Sequence, residues 1–301
     1  MKKKPLPWTP NDIPDLSNQT VIVTGANSGL GLESARMLSS HGATVVMACR
    51  DLNKGKAAME DIRGDHPEAK LELMALDLAD LASVRQFTDT FKQHYDRLDI
   101  LINNAGVMAP PLQHTKDGFE MQFGTNHLGH FALTGLLLET LEAAEAPRVV
   151  VVSSLAHRMG NLYFDNLNGK KGYQRWKFYG QSKLANLMFS LELDRRLRGG
   201  NSSIQVMAAH PGYAATNLQR GIPGHKLFNA VTAQSQEKGA LPSVFAATSE
   251  LAQSGHYYGP NGFMEFWGVP AEAHIRRLAR NEKVASRLWE VSAQLTGVSY
   301  L

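Results

Sequence analysis

Residues 20–31, TVIVTGANSGLG, constrain this chain more than any other stretch, because they read as a buried strand, a tight glycine turn and a helix start. Val21, Ile22 and Val23 are consecutive β-branched apolar residues, the pattern of a strand covered on both faces in a parallel sheet. Gly25 can take backbone angles that a Cβ forbids. Gly29 lets the main chain approach a bulky anion, and Gly31 lets the following helix sit close to the strand. A helix over residues 29–40 then turns its free N–H groups and the positive end of its dipole toward a phosphate. The spacing Gly-x-x-x-Gly-x-Gly departs from the commoner Gly-x-Gly-x-x-Gly of dinucleotide sites. Its context, a strand before it and a helix after it at the start of a βαβ pattern, is what gives it weight.

A chain of 301 residues with 43% hydrophobic content can bury a large core. We expect an α/β fold: a single Rossmann-type doubly wound parallel sheet flanked by helices. Residues 1–18 read as a proline-rich surface lead that packs through Trp8, and residues 19–301 as one dinucleotide-binding catalytic unit. The 31 basic and 28 acidic residues are scattered, so no nucleic-acid partner is expected. Lys2, Lys3 and Lys4 form a dense basic run, read as a solvated tail. Pro5, Pro7, Pro10 and Pro14 interrupt any apolar region of a signal peptide. No run reaches the roughly 18 apolar residues of a membrane span. The single cysteine, Cys49, excludes an internal disulfide and suits a reducing cytoplasm. The 11 histidines are dispersed, and His127 and His130 lack a second pair of ligands, so no metal is expected.

The second strand, residues 44–48, ends in Cys49, Arg50 and Asp51. An acidic residue about 20 positions past the glycine motif would bind the ribose diol of NAD, and an arginine would accept the 2′-phosphate of NADP. Counting does not separate Asp51 from Arg50. The strand register puts the tip at Cys49 and Arg50, which favours NADP(H) over NAD(H). A helix follows at 54–63 and a third strand at 71–75, ending near Asp77 and Leu78. The Asp77 carboxylate could accept the adenine amino group or cap the next helix. That helix carries Leu81, Val84, Phe87 and Phe91 at core spacing. The fourth strand, 99–102, runs into Asn103, Asn104, Ala105 and Gly106, a place with little side-chain bulk where a flat ring could rest.

Residues 118–141 read as one long helix with Asn126 inside it, where an amide is a poor helix former and so has a task. The fifth strand, 148–153, leaves Ser153 and Ser154 at its carboxyl end, where ligands of open α/β sheets bind. Tyr179 and Lys183 lie four apart on a helix and share one face. A sixth strand is expected at 204–209, a helix at 237–250, a short strand at 256–258, and polar helices over 271–295.

TGANSGLG at 24–31, Asp77, NNAG at 103–106 and YGQSK at 179–183 together resemble the short-chain dehydrogenase/reductase family, over residues 20–258. ACRD at 48–51, NHLGHF at 126–131 and SKLAN at 182–186 are similar to its retinol-dehydrogenase-like branch, which is mostly NADP-using. The resemblance implies a small-molecule carbonyl or alcohol substrate and hydride transfer. It implies a coenzyme held by Gly25, Asn27, Ser28, Gly29, Leu30 and Gly31, by Arg50, Asp77 and Leu78, and by Asn104, Ala105 and Gly106. Tyr179 and Lys183 also touch it, and Pro211, Gly212 and Thr216 hold its nicotinamide carboxamide and pyrophosphate.

Within the same resemblance Tyr179 is the acid and base, Ser154 holds the substrate oxygen while Ser153 is structural, Lys183 holds the ribose and lowers the tyrosine pKa, and Asn126 joins a proton relay. The long interval from Ser154 to Tyr179, with Tyr163, Phe164, Tyr173 and Trp176, borders the substrate site or disrupts a subunit interface, so a homo-oligomer stays open. The family's substrate lid matches residues 213–235, with Leu218, Leu227 and Phe228 as apolar candidates. A non-catalytic NADP-binding sensor or scaffold is the alternative; it would have lost Tyr179 or Lys183, and both are present.

Overall fold

Strand Thr20–Thr24 (β1) sends Val21 and Val23 into one apolar cluster and Ile22 into another, so both of its faces are covered. This is the physical reason its sequence is uniformly apolar rather than alternating. The structure, a computed structural model, describes residues 8–213 and 234–301. The remaining strands are Thr44–Cys49 (β2), Leu71–Ala75 (β3), Ile100–Asn103 (β4), Arg148–Val152 (β5), Gln205–Ala209 (β6), Tyr257–Pro260 (β7) and Pro270–Glu272 (β8). They form one sheet in the order β3-β2-β1-β4-β5-β6-β7-β8, parallel throughout except for β8, which runs against β7. The chain leaves β1 toward β2 and β3 and then returns to the other side of β1 as β4. The carboxyl ends of β1 and β4 therefore flank the crevice in which ligands of doubly wound sheets bind.

Helices cover both faces. Gly29–Ser40 (α1) packs beside Gln236–Thr248, and Leu52–Asp65 (α2) lies over β2 and β3 on the same side. The other side carries Leu81–His94 (α3) and the helices within residues 129–142, 175–199 and 282–296. The helix expected to run unbroken over 118–141 is in pieces: Met121–Phe123 (α4), a π-helical turn Gly124–Leu128, Gly129–Leu136 (α5) and Leu138–Glu142 (α6). Gly118 has φ of +83°, so the helical run starts only at Met121. Then comes Arg175–Gly199 (α7), the helix of Tyr179 and Lys183. Gln236–Thr248 is α8 and Glu282–Thr296 is α9. The stretch expected to be helical from 271 thus begins as strand β8 and a 3-10 turn, and only its second half is helix.

Helix α9 and the tail after it lie across α5 and α7. Trp289 packs edge-on against Phe131 at 5.0 Å, His127 hydrogen-bonds Ser292 Oγ at 2.8 Å, and the Tyr300 hydroxyl donates to the Phe131 carbonyl at 3.1 Å. Residues 8–18 are less superficial than their prolines suggest. Trp8, Ile13 and Leu16 are buried, and the Trp8 ring meets Phe245 of α8 edge-on at 5.4 Å. Among the described residues no helix is long and apolar enough to cross a membrane.

Candidate active site

The glycine turn closes as its spacing requires. Gly25 has φ of +68°, and a Cβ on Gly31 would lie 2.5 Å from the Gly25 carbonyl oxygen, so only glycine lets α1 start this close to β1. Asn27 and Ser28 complete the turn, and Ser28 is the N-cap without a side-chain capping bond. The first N–H groups of α1, from Gly29, Leu30 and Gly31, have no partner within the helix. The neighbouring strand end is stitched to this turn by Thr24. Its hydroxyl accepts from the amides of Asn104 and Ala105, both at 2.9 Å, and Asn104 Nδ2 donates to the Thr24 carbonyl at 2.8 Å.

Arg50 is exposed directly after β2, and Asp51 is committed elsewhere. The Asp51 side chain caps α2, accepting from Asn53 and Lys54 amides at 3.1 Å. Asp77 does not cap α3; Asp80 does, accepting from Ala82 N at 3.0 Å. Asp77 Oδ1 instead accepts from Ala79 N at 3.0 Å, and its own N–H donates to Ser83 Oγ. Leu78 is buried against Gly129, where a Cβ would meet the Leu78 carbonyl at 2.5 Å.

Asn126 lies in the π-helical turn, a device that recurs at functional sites because one extra residue re-aims the side chains around it. Its Oδ1 accepts from Val107 N at 2.8 Å, and its Nδ2 donates to the Val107 carbonyl at 3.0 Å and to Ser182 Oγ at 2.9 Å. A Cβ on Gly106 would lie 3.1 Å from Asn126 Oδ1 and 3.5 Å from Lys183 Nζ, so the NNAG loop, Asn126 and Lys183 converge. His130, one turn later, donates from Nδ1 to the Asn126 carbonyl at 2.9 Å and accepts at Nε2 from Thr24 Oγ1 at 2.9 Å. Burial pushes this ring down to about 4, so it stays neutral. Thr24 and His130 were not singled out by sequence as site-building residues. The signal was a histidine one helical turn past a helix-interior asparagine, facing a strand-end threonine.

Ser153 donates from Oγ to the Lys183 carbonyl at 2.7 Å. Ser154 opens the following 3-10 turn, Leu155–Met159, and accepts from Ala156 N. Tyr179 is buried at 7% exposure, and the Ser154 side chain acts on its hydroxyl. Burial pushes its hydroxyl up to about 12, and the nearby Ser154 side chain offsets only part of that. The expected depression by Lys183 is not found in the protein alone. Lys183, itself brought down to about 8 by burial, donates to the Val152 carbonyl at 3.1 Å.

Of the aromatic loop residues, Trp176 meets the Tyr179 ring, edge-on at 6.1 Å. Tyr163 and Phe164 instead carry Lys177 and Arg287 over their faces, and Tyr173 donates to the Pro110 carbonyl. Pro211 and Gly212 follow β6 at the same edge of the sheet. The Pro211 carbonyl accepts from Gln234 Nε2 at 2.6 Å, and Gly212 has φ of +67°. Thr216, and most of the 213–235 stretch with Leu218, Leu227 and Phe228, lie outside the described residues. Among the described residues no three His, Cys, Asp or Glu side chains are placed to hold a metal ion.

The family model described as short chain dehydrogenase matches residues 19–226. Human retinol dehydrogenase 13 is 44% identical over 296 residues, covering 94% of this chain and 86% of that protein. Mouse retinol dehydrogenase 14 is 40% identical, covering 94% and 87%. A crystal structure of an uncharacterized protein from Mycobacterium paratuberculosis superposes with a TM-score of 0.83 at 42% identity, over 98% of this chain and 99% of that one. The chain belongs to the short-chain dehydrogenase/reductase family, oxidoreductases that bind a nicotinamide coenzyme and act on alcohol and carbonyl groups.

Proposed function

We propose that this protein is an NADP(H)-dependent oxidoreductase that interconverts an apolar aldehyde or ketone and its alcohol. The observation that carries the reading is the buried Tyr179 with Lys183 on the same helix face, Lys183 and Asn126 converging on Gly106, and the glycine turn at the adjacent strand ends. The turn fits a pyrophosphate: it leaves no room for a Cβ at Gly31 and offers the N–H groups of the first turn of α1. The small NNAG loop fits a ring and ribose beside Asn126 and Lys183. NADPH, when bound, supplies the hydride.

In reduction the Tyr179 hydroxyl gives its proton to the substrate oxygen, and Ser154 Oγ–H hydrogen-bonds that same oxygen as it gains charge. In oxidation Tyr179 takes the proton back. Lys183 holds the ribose hydroxyls and, with the oxidised coenzyme, favours the phenolate. Asn126 links this proton to solvent. Pro211, Gly212 and Thr216 hold the carboxamide side. Arg50 supports NADP(H) over NAD(H), because it stands exposed at the β2 tip while Asp51 is occupied as a cap. Met159 and Trp176, exposed at 73% and 47% on the elements that carry Ser154 and Tyr179, support an apolar substrate. Residues 19–301 act as one catalytic unit. A reducing cytoplasm suits the buried Cys49 thiol, which burial pushes up to about 12 and leaves inert.

The test is a screen of aldehydes, ketones and alcohols under NADPH and NADH, followed by absorbance of the reduced coenzyme. Apolar carbonyls turned over best with NADPH are the expected result. Folded protein that turns over none of them with either coenzyme overturns the reading.

A further inference from the structure

Glu265 is an acidic side chain at 5% exposure on the hairpin that joins β7 to β8. It follows Met264, and the two are consecutive non-glycine residues in the left-handed region, with φ of +51° and +65°. Such a pair is disfavoured by the Cβ atoms and persists where the surroundings demand it, often beside a functional site.

The carboxylate is fully used as an acceptor. Oε2 accepts from Arg158 Nη2 at 2.6 Å and from His210 Nε2 at 3.0 Å, while Oε1 accepts from His274 N at 3.0 Å. On the far side of the same imidazole, the Gly212 N–H donates to His210 Nδ1 at 3.1 Å. Nδ1 must therefore be bare and Nε2 must carry the proton, and Glu265 is the group that selects this tautomer. The hairpin also grips the next residues. Tyr213 N donates to the Phe266 carbonyl at 2.8 Å, and a Cβ on Gly212 would lie 2.5 Å from that same oxygen. The third arm, Arg158, belongs to the 3-10 turn that Ser154 opens.

We propose that Glu265 is a positioning residue: through His210 it fixes the Pro211–Gly212 backbone on the nicotinamide side of the coenzyme, and through Arg158 it ties that backbone to the turn behind Ser154. The inference rests on the functional reading above. It predicts an effect confined to one half of the coenzyme, because the adenosine half is held at β1, β2 and β3, on the other side of the sheet's switch point.

The substitution is Glu265→Gln, which keeps the size but replaces one acceptor oxygen by an NH₂ that must face a donor. NADPH and adenosine 2′,5′-bisphosphate, which carries the 2′-phosphate and no nicotinamide, are titrated into wild type and variant. NADPH is expected to bind about tenfold more weakly, the size of one lost charge-assisted hydrogen bond, with the bisphosphate unchanged. A parallel pair, NADH and ADP, gives the same contrast whichever coenzyme is preferred. Equal weakening of both ligands, or of neither, overturns the inference while leaving the enzyme reading intact. Wild type that binds none of the four ligands removes that reading, and the inference with it. Should the variant fail to fold, ¹⁵N-histidine spectra of wild type decide: saturating coenzyme must shift the His210 Nδ1 resonance, and an unmoved resonance overturns the inference.

Discussion

Lys183 Nζ lies 6.0 Å from the centre of the Tyr179 ring and donates to the Val152 carbonyl at 3.1 Å, so the ammonium is anchored to the end of β5 rather than to the phenol. Burial acts on the two groups in opposite directions, raising the tyrosine to about 12 and lowering the lysine to about 8. Tyr179 is therefore fully protonated at neutral pH in the free protein, the form that donates in reduction. Removing only its hydroxyl in Tyr179→Phe is expected to leave folding and coenzyme affinity unchanged while kcat falls by roughly 10² or more. Single-turnover reduction at saturating NADPH checks this, and a variant within a few fold of wild type removes Tyr179 as the acid.

The lowered Lys183 pKa sets a pH window for coenzyme binding. The side chain is charged below about pH 8 and neutral above it. Its attraction to coenzyme is thus present at low pH and lost as pH rises through that value. We expect the NADPH dissociation constant to be flat on the acid side and to climb on the alkaline side, and Lys183→Met to bind weakly with no such climb. Titration calorimetry across the range measures both, and a wild-type affinity indifferent to pH would take Lys183 out of the binding site.

Arg50 bears on coenzyme choice alone. A charge-assisted pair with the 2′-phosphate is worth about 1.5 to 3 kcal/mol, hence a preference of roughly tenfold or more for NADPH over NADH. Arg50→Ala is expected to erase that preference by weakening NADPH, with NADH unaffected. Equal affinities in the wild type, or a preference that survives the substitution, would refute the assignment.

Acid stability turns on two buried histidines. His127 and His130 are buried and neutral, pushed down from 6.5 to about 3 and about 4. A depressed histidine pKa means that the unfolded chain takes up protons that the folded one refuses. The stabilisation is complete above pH 6.5 and is lost as pH falls, at about 1.4 kcal/mol per pH unit for each ring, down to the folded values. Unfolding midpoints followed from neutral to acid pH should fall accordingly. His127→Phe, whose ring would join Phe123, Phe131 and Phe189, should flatten the slope by one histidine. An unchanged slope would show that this ring is protonated in the folded state.

The sheet and the glycine turn were legible because their rules are local: a run such as RVVVV declares a buried strand, and the angles of Gly25 and the crowding at Gly31 depend on neighbours a few residues away. Tyr179 and Lys183 were legible because a spacing of four fixes a helix face. What escaped depends on partners distant in sequence. The 118–141 helix starts late because Gly118 is left-handed, carries a π turn at Gly124–Leu128 and is interrupted at Leu137, and residue patterns do not encode an extra residue in one turn. The capping role fell to Asp80 rather than Asp77 through backbone geometry that composition cannot rank. Strand β8 forms only because β7 offers it an edge, and Glu265 meets His210 across 55 residues of sequence.

The chain's last helix, whose role was opaque in the sequence, has a consequence for assembly. By lying across α5 and α7, α9 turns Phe131, Phe189 and Leu193 into interior and leaves that flank closed by the chain's own end. A polypeptide ending before Glu282 would present this apolar strip to water and should self-associate more strongly than one that keeps α9. Phe131, Phe189 and Leu193 are not available to a second copy while α9 stays in place, because each molecule already covers them itself.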